Sequence, residues 1–216
     1  MPLSPPRPRR SLTRRSGMAC IAAALSALIA ISLPFGSARA ATEAEARNFI
    51  DSFGGKLVAI VNSDQSLDAK KQAVLPLLQQ NVDVSLIGRF CLGRYWRNAT
   101  PEQQQRYLDL FDHVLVNAIT DKLGDYRGVH LTVTSAAPSG TGEMVNATLT
   151  RPGQPPAEMQ LLVEDSSGAP KVADMIGEGA SLRLTQRQDY ASYLARNGGN
   201  VDTLIAALQR QLARHH

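Results

Sequence analysis

The sequence predicts an α+β domain, an antiparallel sheet of about four strands covered on one face by helices. Three observations carry this. Apolar residues recur at helical spacing from residue 42 to about 123 and again after 184, they alternate with a period of two from 129 to 176, and Gly-, Pro- and Ser-rich separators divide the alternating runs. Once a distinct N-terminal stretch is set aside, residues 41–216 form one domain with enough chain for a real core. No repeat, low-complexity tract or linker interrupts them.

The first forty residues differ from the rest. Arg7, Arg9, Arg10, Arg14 and Arg15 precede an apolar run from Ala19 to Phe35, and Ala38-Arg39-Ala40 supplies small residues for cleavage. This is the pattern of a cleavable export signal over 1–40. The run is short for a bilayer span of roughly 20 residues, and Pro34 and Gly36 close it. Six of the 23 basic residues and none of the 19 acidic ones lie there, so the formal charge of +4 becomes −2 after Ala40. No basic surface large enough to suggest nucleic acid is expected. Cys20 lies in the signal and Cys91 stands alone beyond it, which excludes a disulfide within the exported part.

Each element has a local cause. Thr42 and Glu45 form a capping box, followed by the stripe Ala46, Phe49, Ile50, Phe53, Leu57, Ile60 and Val61; Gly54-Gly55 within it costs helix propensity and points to close packing or a bend. Ser66 caps a second helix through Gln80 with Val74, Leu75 and Leu78 inward and a kink expected at Pro76. Asp83 caps a third that carries Leu86, Ile87 and Phe90 and stops at Gly93. Thr100-Pro101-Glu102-Gln103 combines a cap, a proline at the first helical position and a box partner. That helix is expected to reach about Leu123, with Tyr107, Leu108, Phe111, Val114, Leu115, Ala118 and Ile119 in a broad stripe.

Val129, Leu131 and Val133 alternate with His130, Thr132 and Thr134, and Glu143–Thr150 and Ala157–Glu164 repeat the pattern. Lys171–Ile176 makes a fourth, shorter strand. Gly177-Glu178-Gly179 breaks it. Two closing helices follow, Leu184–Arg196 and Val201–Ala213, the second capped by Asn200.

Catalytic chemistry has little to build on. Cys91 sits between Phe90 and Leu92, where a small buried thiol is the ordinary explanation. His113 and His130 fall on solvent-facing positions, His215-His216 lacks a third metal ligand, and Asp174 and Glu178 flank a strand where acidic residues serve turns and caps. An enzyme is not expected, nor a cofactor or a metal. Arg94-Tyr95-Trp96-Arg97 sets cations beside aromatics; the preferred reading is an inter-helix connection with rings in and arginines out, against a headgroup or stacking site.

Two blocks carry a family resemblance. Phe90-Cys91-Leu92-Gly93-Arg94-Tyr95-Trp96-Arg97-Asn98-Ala99-Thr100-Pro101-Glu102-Gln103 resembles the "vLGryWr.atpeQ" signature of the periplasmic phospholipid-binding proteins of the Mla lipid-transport system, also called toluene-tolerance auxiliary proteins (the MlaC family). Asp174–Leu182, followed by Gln186-Arg187-Gln188-Asp189-Tyr190, is similar to that family's "yDv.ieGvSl…qR.eF" stretch. Pro170 and Ala173 depart from the Trp and Tyr common near its last strand. A branch associated with hopanoid synthesis shares both blocks.

The resemblance implies an NTF2-like fold whose cavity between sheet and helices takes the acyl tails of a phospholipid, or of a hopanoid. It also implies a periplasmic shuttle between an inner-membrane ABC/MCE complex and an outer-membrane lipoprotein complex. A hopanoid-associated lipid carrier of the same family and a non-catalytic adaptor of an ABC transporter are the alternatives. The large apolar groups on the facing stripes are the candidate lipid-binding residues: Phe53, Leu57, Phe90, Phe111, Leu115, Leu131, Val133, Leu149, Leu161 and Met175. Every one is equally a candidate for ordinary core.

Overall fold

The computed structural model describes residues 42–165 and 168–214. The expected signal and its cleavage site at Ala40, and the histidine pair at the C-terminus, lie outside them. All described residues belong to one unit.

Helix α1 (Glu43–Asn62) starts at the Thr42 capping box. The Thr42 amide donates to the Glu45 carboxylate at 2.8 Å and the Glu45 amide to Thr42 Oγ1 at 3.3 Å, so two otherwise free donors are satisfied. Helix α2 (Leu67–Asn81) is capped by Ser66 and continues through Pro76. Its buried residues are Val74, Leu77 and Leu78. Leu75, expected inward, is half-buried, because Leu77 takes the position facing the core. Helix α3 (Val84–Leu92) begins where Asp83 accepts from the Leu86 amide at 2.9 Å. It ends at Gly93, whose φ of 59° favours glycine, and a 3₁₀ stretch Gly93–Asn98 leads on.

Helix α4 (Pro101–Thr120) repeats the capping box with Thr100 and Gln103. It stops three residues before the expected Leu123, which instead opens a second 3₁₀ turn, Leu123–Tyr126, with its side chain buried. After the strands come α5 (Leu182–Arg196) and α6 (Val201–Ala213).

Strands β1 (His130–Ser139), β2 (Gly142–Arg151), β3 (Gln154–Asp165), β4 (Pro170–Gly177) and β5 (Ala180–Ser181) form one antiparallel meander in sequence order. The sheet thus has five strands, not four. The additional one is a two-residue strand paired Ile176↔Ser181 and Gly177↔Ala180. Glu178 and Gly179 make the connecting turn with φ of 52° and 77°, as a two-residue hairpin loop of type I′ demands. Glu178 is therefore a turn residue. Register shifts between Val133 and Ser135 and between Leu162 and Val163 mark bulges in β1 and along the β3–β4 pair.

Two cores result. One joins α1 and α2 to the sheet through Ala46, Ile50, Phe53, Val61, Val74, Leu77, Leu78, Val133, Val145, Ala147, Leu161, Val163 and Val172. The other lies within the α3–α6 layer, around Cys91, Leu92, Tyr95, Tyr107, Phe111, Tyr190, Leu194, Leu204 and Ile205. Burying one such large side chain contributes about 1.5–3 kcal/mol, so each cluster is a substantial source of stability.

Candidate functional site

The sheet presents an apolar face to α1 and α2. Register places Leu131 opposite Leu149, Val133 opposite Ala147, and Val145 opposite Leu161, with Met159 and Ala157 continuing the row toward the β2–β3 hairpin. Because side chains alternate along a strand, these residues share one face. Near that hairpin the seam is incompletely closed: Leu57, Val58, Leu131, Leu149 and Met159 pack on the core yet keep part of their surface accessible.

Helix α1 is fixed to this face at three points. Arg47 donates to the Val133 and Thr134 carbonyls, both at 3.1 Å, beside the β1 bulge. Asn62 donates to the Val129 carbonyl and accepts from the Gly128 amide, both at 2.8 Å. Between them Gly54 lies so close to Leu131 that a Cβ there would overlap Cδ2. Close packing, rather than a bend, accounts for that glycine.

Of the ten candidate residues, six meet in this seam. Phe53, Val133 and Leu161 are buried; Leu57, Leu131 and Leu149 are partly so. The other four are not part of that packed cluster. Phe111 is buried in the helical core against Tyr107 and Tyr190, with Leu115 at its margin. Phe90 lies beneath the guanidinium groups of Arg183 and Arg187, 4.5 and 4.9 Å from its ring centre. Met175, paired with Leu161 of β3, lies on the same sheet face but is 36% exposed. Alternation could have added Met159, which follows the same period as Leu161; the shift of Phe111 into a second core could not have been read from one broad stripe.

One charge intrudes on the apolar face. Glu143 pairs with Val163 at the far end of β2, is 7% exposed, and its Oε2 has no hydrogen-bond partner. Burial, and then the Glu43 carboxylate of α1, raise its carboxyl above the ordinary value of 4.5.

Two surface grooves lie on the helical layer. One of about 230 Å³ runs between α4 and α6, where Val114, Asn117, Asp121 and Leu212 line it. A wider one of about 440 Å³ separates α5 from α6 and includes Asp189, Tyr193 and Arg196. Both carry charges in their walls.

The two sequence blocks converge in space. Cys91 Sγ donates to the Arg183 carbonyl at 3.5 Å, Arg187 reaches the Phe90 carbonyl at 3.4 Å, and Tyr107 stacks edge-on to Tyr190 at 6.2 Å. Asp174 organises the start of α5. It accepts from the amides of Met175 (2.8 Å) and Arg183 (3.2 Å) and from Ser181 Oγ (2.5 Å), and pairs with Arg183 Nε at 3.4 Å. Its role is thus to hold β4, β5 and α5 together. Burial pushes the Cys91 thiol up to about 12, assisted by Asp174 and partly opposed by Arg183 and Arg187, so it is a neutral core group at ordinary pH. His113 and His130 are exposed. In the connection Tyr95 is buried while Arg94 and Arg97 are exposed, with the Arg94 guanidinium 4.9 Å from the Tyr95 ring centre.

Comparison with known proteins gives a consistent result. The toluene tolerance protein ttg2D of Pseudomonas putida is 29% identical over 122 residues, 56% of this chain and 57% of that protein. The matched stretch thus spans little more than half of that relative. The intermembrane phospholipid transport system binding protein MlaC of Haemophilus influenzae is 22% identical over 169 residues, 74% of this chain and 78% of its own length. A solved phospholipid-binding protein from Ralstonia solanacearum, in complex with a phospholipid, superposes with a TM-score of 0.70 at 25% identity, over 79% of this chain and 98% of that one. A family model described as "MlaC protein" matches residues 51–210. On the extent of that match, the chain belongs to the MlaC family.

Proposed function

We propose that this protein is an exported, non-catalytic carrier that holds the acyl tails of a phospholipid between the apolar sheet face and helices α1 and α2. The observation that carries the reading is the fold shared with the phospholipid-complexed Ralstonia protein over nearly all of that chain. The partly accessible row Leu57, Leu131, Leu149 and Met159 gives the tails a place to enter. Each buried methylene contributes about 0.8 kcal/mol, so two tails of ordinary length gain on the order of 20 kcal/mol before ordering costs. Escape into water is then very slow, and release requires a docked partner. The arginine-led apolar segment ahead of Ala40 supports delivery to the periplasm, and among the described residues no helix is long and apolar enough to cross a membrane. In this reading the carrier passes lipid between an inner-membrane ABC/MCE complex and an outer-membrane lipoprotein complex.

The test is mass spectrometry of lipid extracted from protein purified without detergent. Stoichiometric phospholipid is expected. A hopanoid in its place would move the chain to the hopanoid-associated branch, and no lipid at all would favour a transporter adaptor and overturn the carrier.

A further inference from the structure

The remainder after Ala40 is slightly acidic overall, but its charge is segregated. Between Val84 and Ala99 stand Arg89, Arg94 and Arg97 with no acidic residue, and between Gly179 and Gln188 stand Arg183 and Arg187, again with none. The two stretches touch: Arg183 and Arg187 lie over Phe90, and Arg89 lies 5.4 Å from the Trp96 ring centre. Arg183 is engaged by Asp174 and Glu164. Arg89, Arg94, Arg97 and Arg187 form no ion pair with a described residue, and the first three are exposed. Asp83, Glu102, Glu178 and Asp189 flank the two stretches in sequence.

On either side of Arg183 in sequence stand two aliphatic side chains that the fold leaves outside, and Met175 lies across from them at the margin of the sheet face. Leu182 is 50% exposed, Leu184 48% and Met175 36%. They share one corner, since the Ile176↔Ser181 pair, carried one step further, sets Met175 across from Leu182. Asp174 ties that corner to Arg183. Partly exposed Phe90 and Trp96, each lying against an arginine, complete the surface.

We infer that this corner, where β4, β5 and the first turn of α5 meet α3, is a docking face for an anionic phospholipid bilayer. The leucines decide between occupants. An acidic protein would be matched by the arginines alone, whereas half-exposed aliphatics flanked by long cationic side chains and a tryptophan suit the interface of a bilayer, where the apolar groups sink below the headgroups and the guanidinium groups stay among the phosphates. Its arginines and leucines are not among the residues that close the α1–sheet seam, so it would orient a carrier on a membrane without occupying its lipid site. It stands whether or not the seam holds a lipid.

Sedimentation of the domain beginning at Ala41 with vesicles tests it. Binding to equimolar phosphatidylglycerol and phosphatidylcholine, absent with phosphatidylcholine alone and weakened by salt, is the expected result. The Arg89→Gln/Arg97→Gln variant should lose about fivefold in partitioning per charge, and Leu182→Ser/Leu184→Ser at least about tenfold. All four residues are exposed, so circular dichroism should not change; the salt titration of the unaltered protein serves if a variant does not fold. Protein that stays in the supernatant with anionic vesicles overturns the inference, as does binding that neither variant diminishes. Salt-dependent capture of a partner protein by a domain that ignores vesicles overturns it too, in favour of an acidic protein surface.

Discussion

The Tyr107 hydroxyl of α4 donates to the Gly88 carbonyl of α3 at 2.9 Å, in a place where both are buried. The contact is possible because Gly88 has no side chain: a Cβ there would come within 2.8 Å of Leu108 Cδ2 and 3.1 Å of Phe111 Cδ1. Tyr107→Phe keeps the ring and removes the bond. A loss of about 1 kcal/mol is expected, read as a fall in Tm of about 2–4 °C, with any bound lipid retained because the pair belongs to the helical core.

The adjacent glycines of α1 should separate cleanly. Gly55 has open space around its missing side chain, whereas Gly54 faces Leu131. Gly55→Ala is expected to raise stability by up to about 1 kcal/mol, the helix-propensity gain. In Gly54→Ala the displacement of Leu131 offsets that gain. Paired urea denaturation curves check the difference.

Charge placed in the seam should act differently from charge placed in the helical core. Leu149→Asp, at a partly accessible position, is expected to leave a folded protein that no longer co-purifies with lipid. Phe111→Asp should unfold the chain, since Phe111 is 3% exposed among aromatic neighbours and an unpaired buried charge costs several kcal/mol. Circular dichroism and lipid analysis on the same samples decide both.

Glu143 makes stability depend on pH. Its carboxyl is raised in the folded state, so the native protein binds its proton more tightly than the unfolded chain does. The resulting stabilisation is fully present below the ordinary value of 4.5 and is lost as pH rises through the raised folded value. Glu143→Gln should remove this slope just above 4.5 and be no less stable than the parent at neutral pH. Thermal melts across that range provide the measurement.

Cys91, held neutral by burial, should resist a soluble thiol reagent at neutral pH in the native protein and react fully once unfolded. Fast labelling of folded protein would show that the α3–α5 contact opens.

What the sequence revealed best was local. The caps at Thr42, Ser66, Asp83, Thr100 and Asn200 stand where the side chains implied, because a cap depends on residues within one turn. The start of α5 was not legible. It begins two residues before the expected Leu184, at a Ser181 cap secured by Asp174 from another strand. Strand β3 likewise begins before its alternation does, with Pro155 and Pro156 inside it. Those prolines are tolerated because β4 reaches only to Met159, leaving that end of β3 with a neighbour on one side. For the candidate site, alternation identified the sheet wall, Met175 opposite Leu161 included. Assigning Phe111, Leu115 and Phe90 needed the packing of α3, α4 and α5, which no periodicity encodes.

The meander has a consequence for the order in which the protein is assembled. Apart from the single Val82↔Val172 bridge, each strand pairs with its sequence neighbours, so the sheet grows by local hairpin closures that cost little chain entropy. Helix α1 joins it over long range. The carbonyls bound by Arg47 and Asn62 lie 86 and 67 residues further along, so its apolar stripe, Phe53 included, emerges first and is covered late. During that interval the stripe is exposed apolar surface of the kind that promotes aggregation.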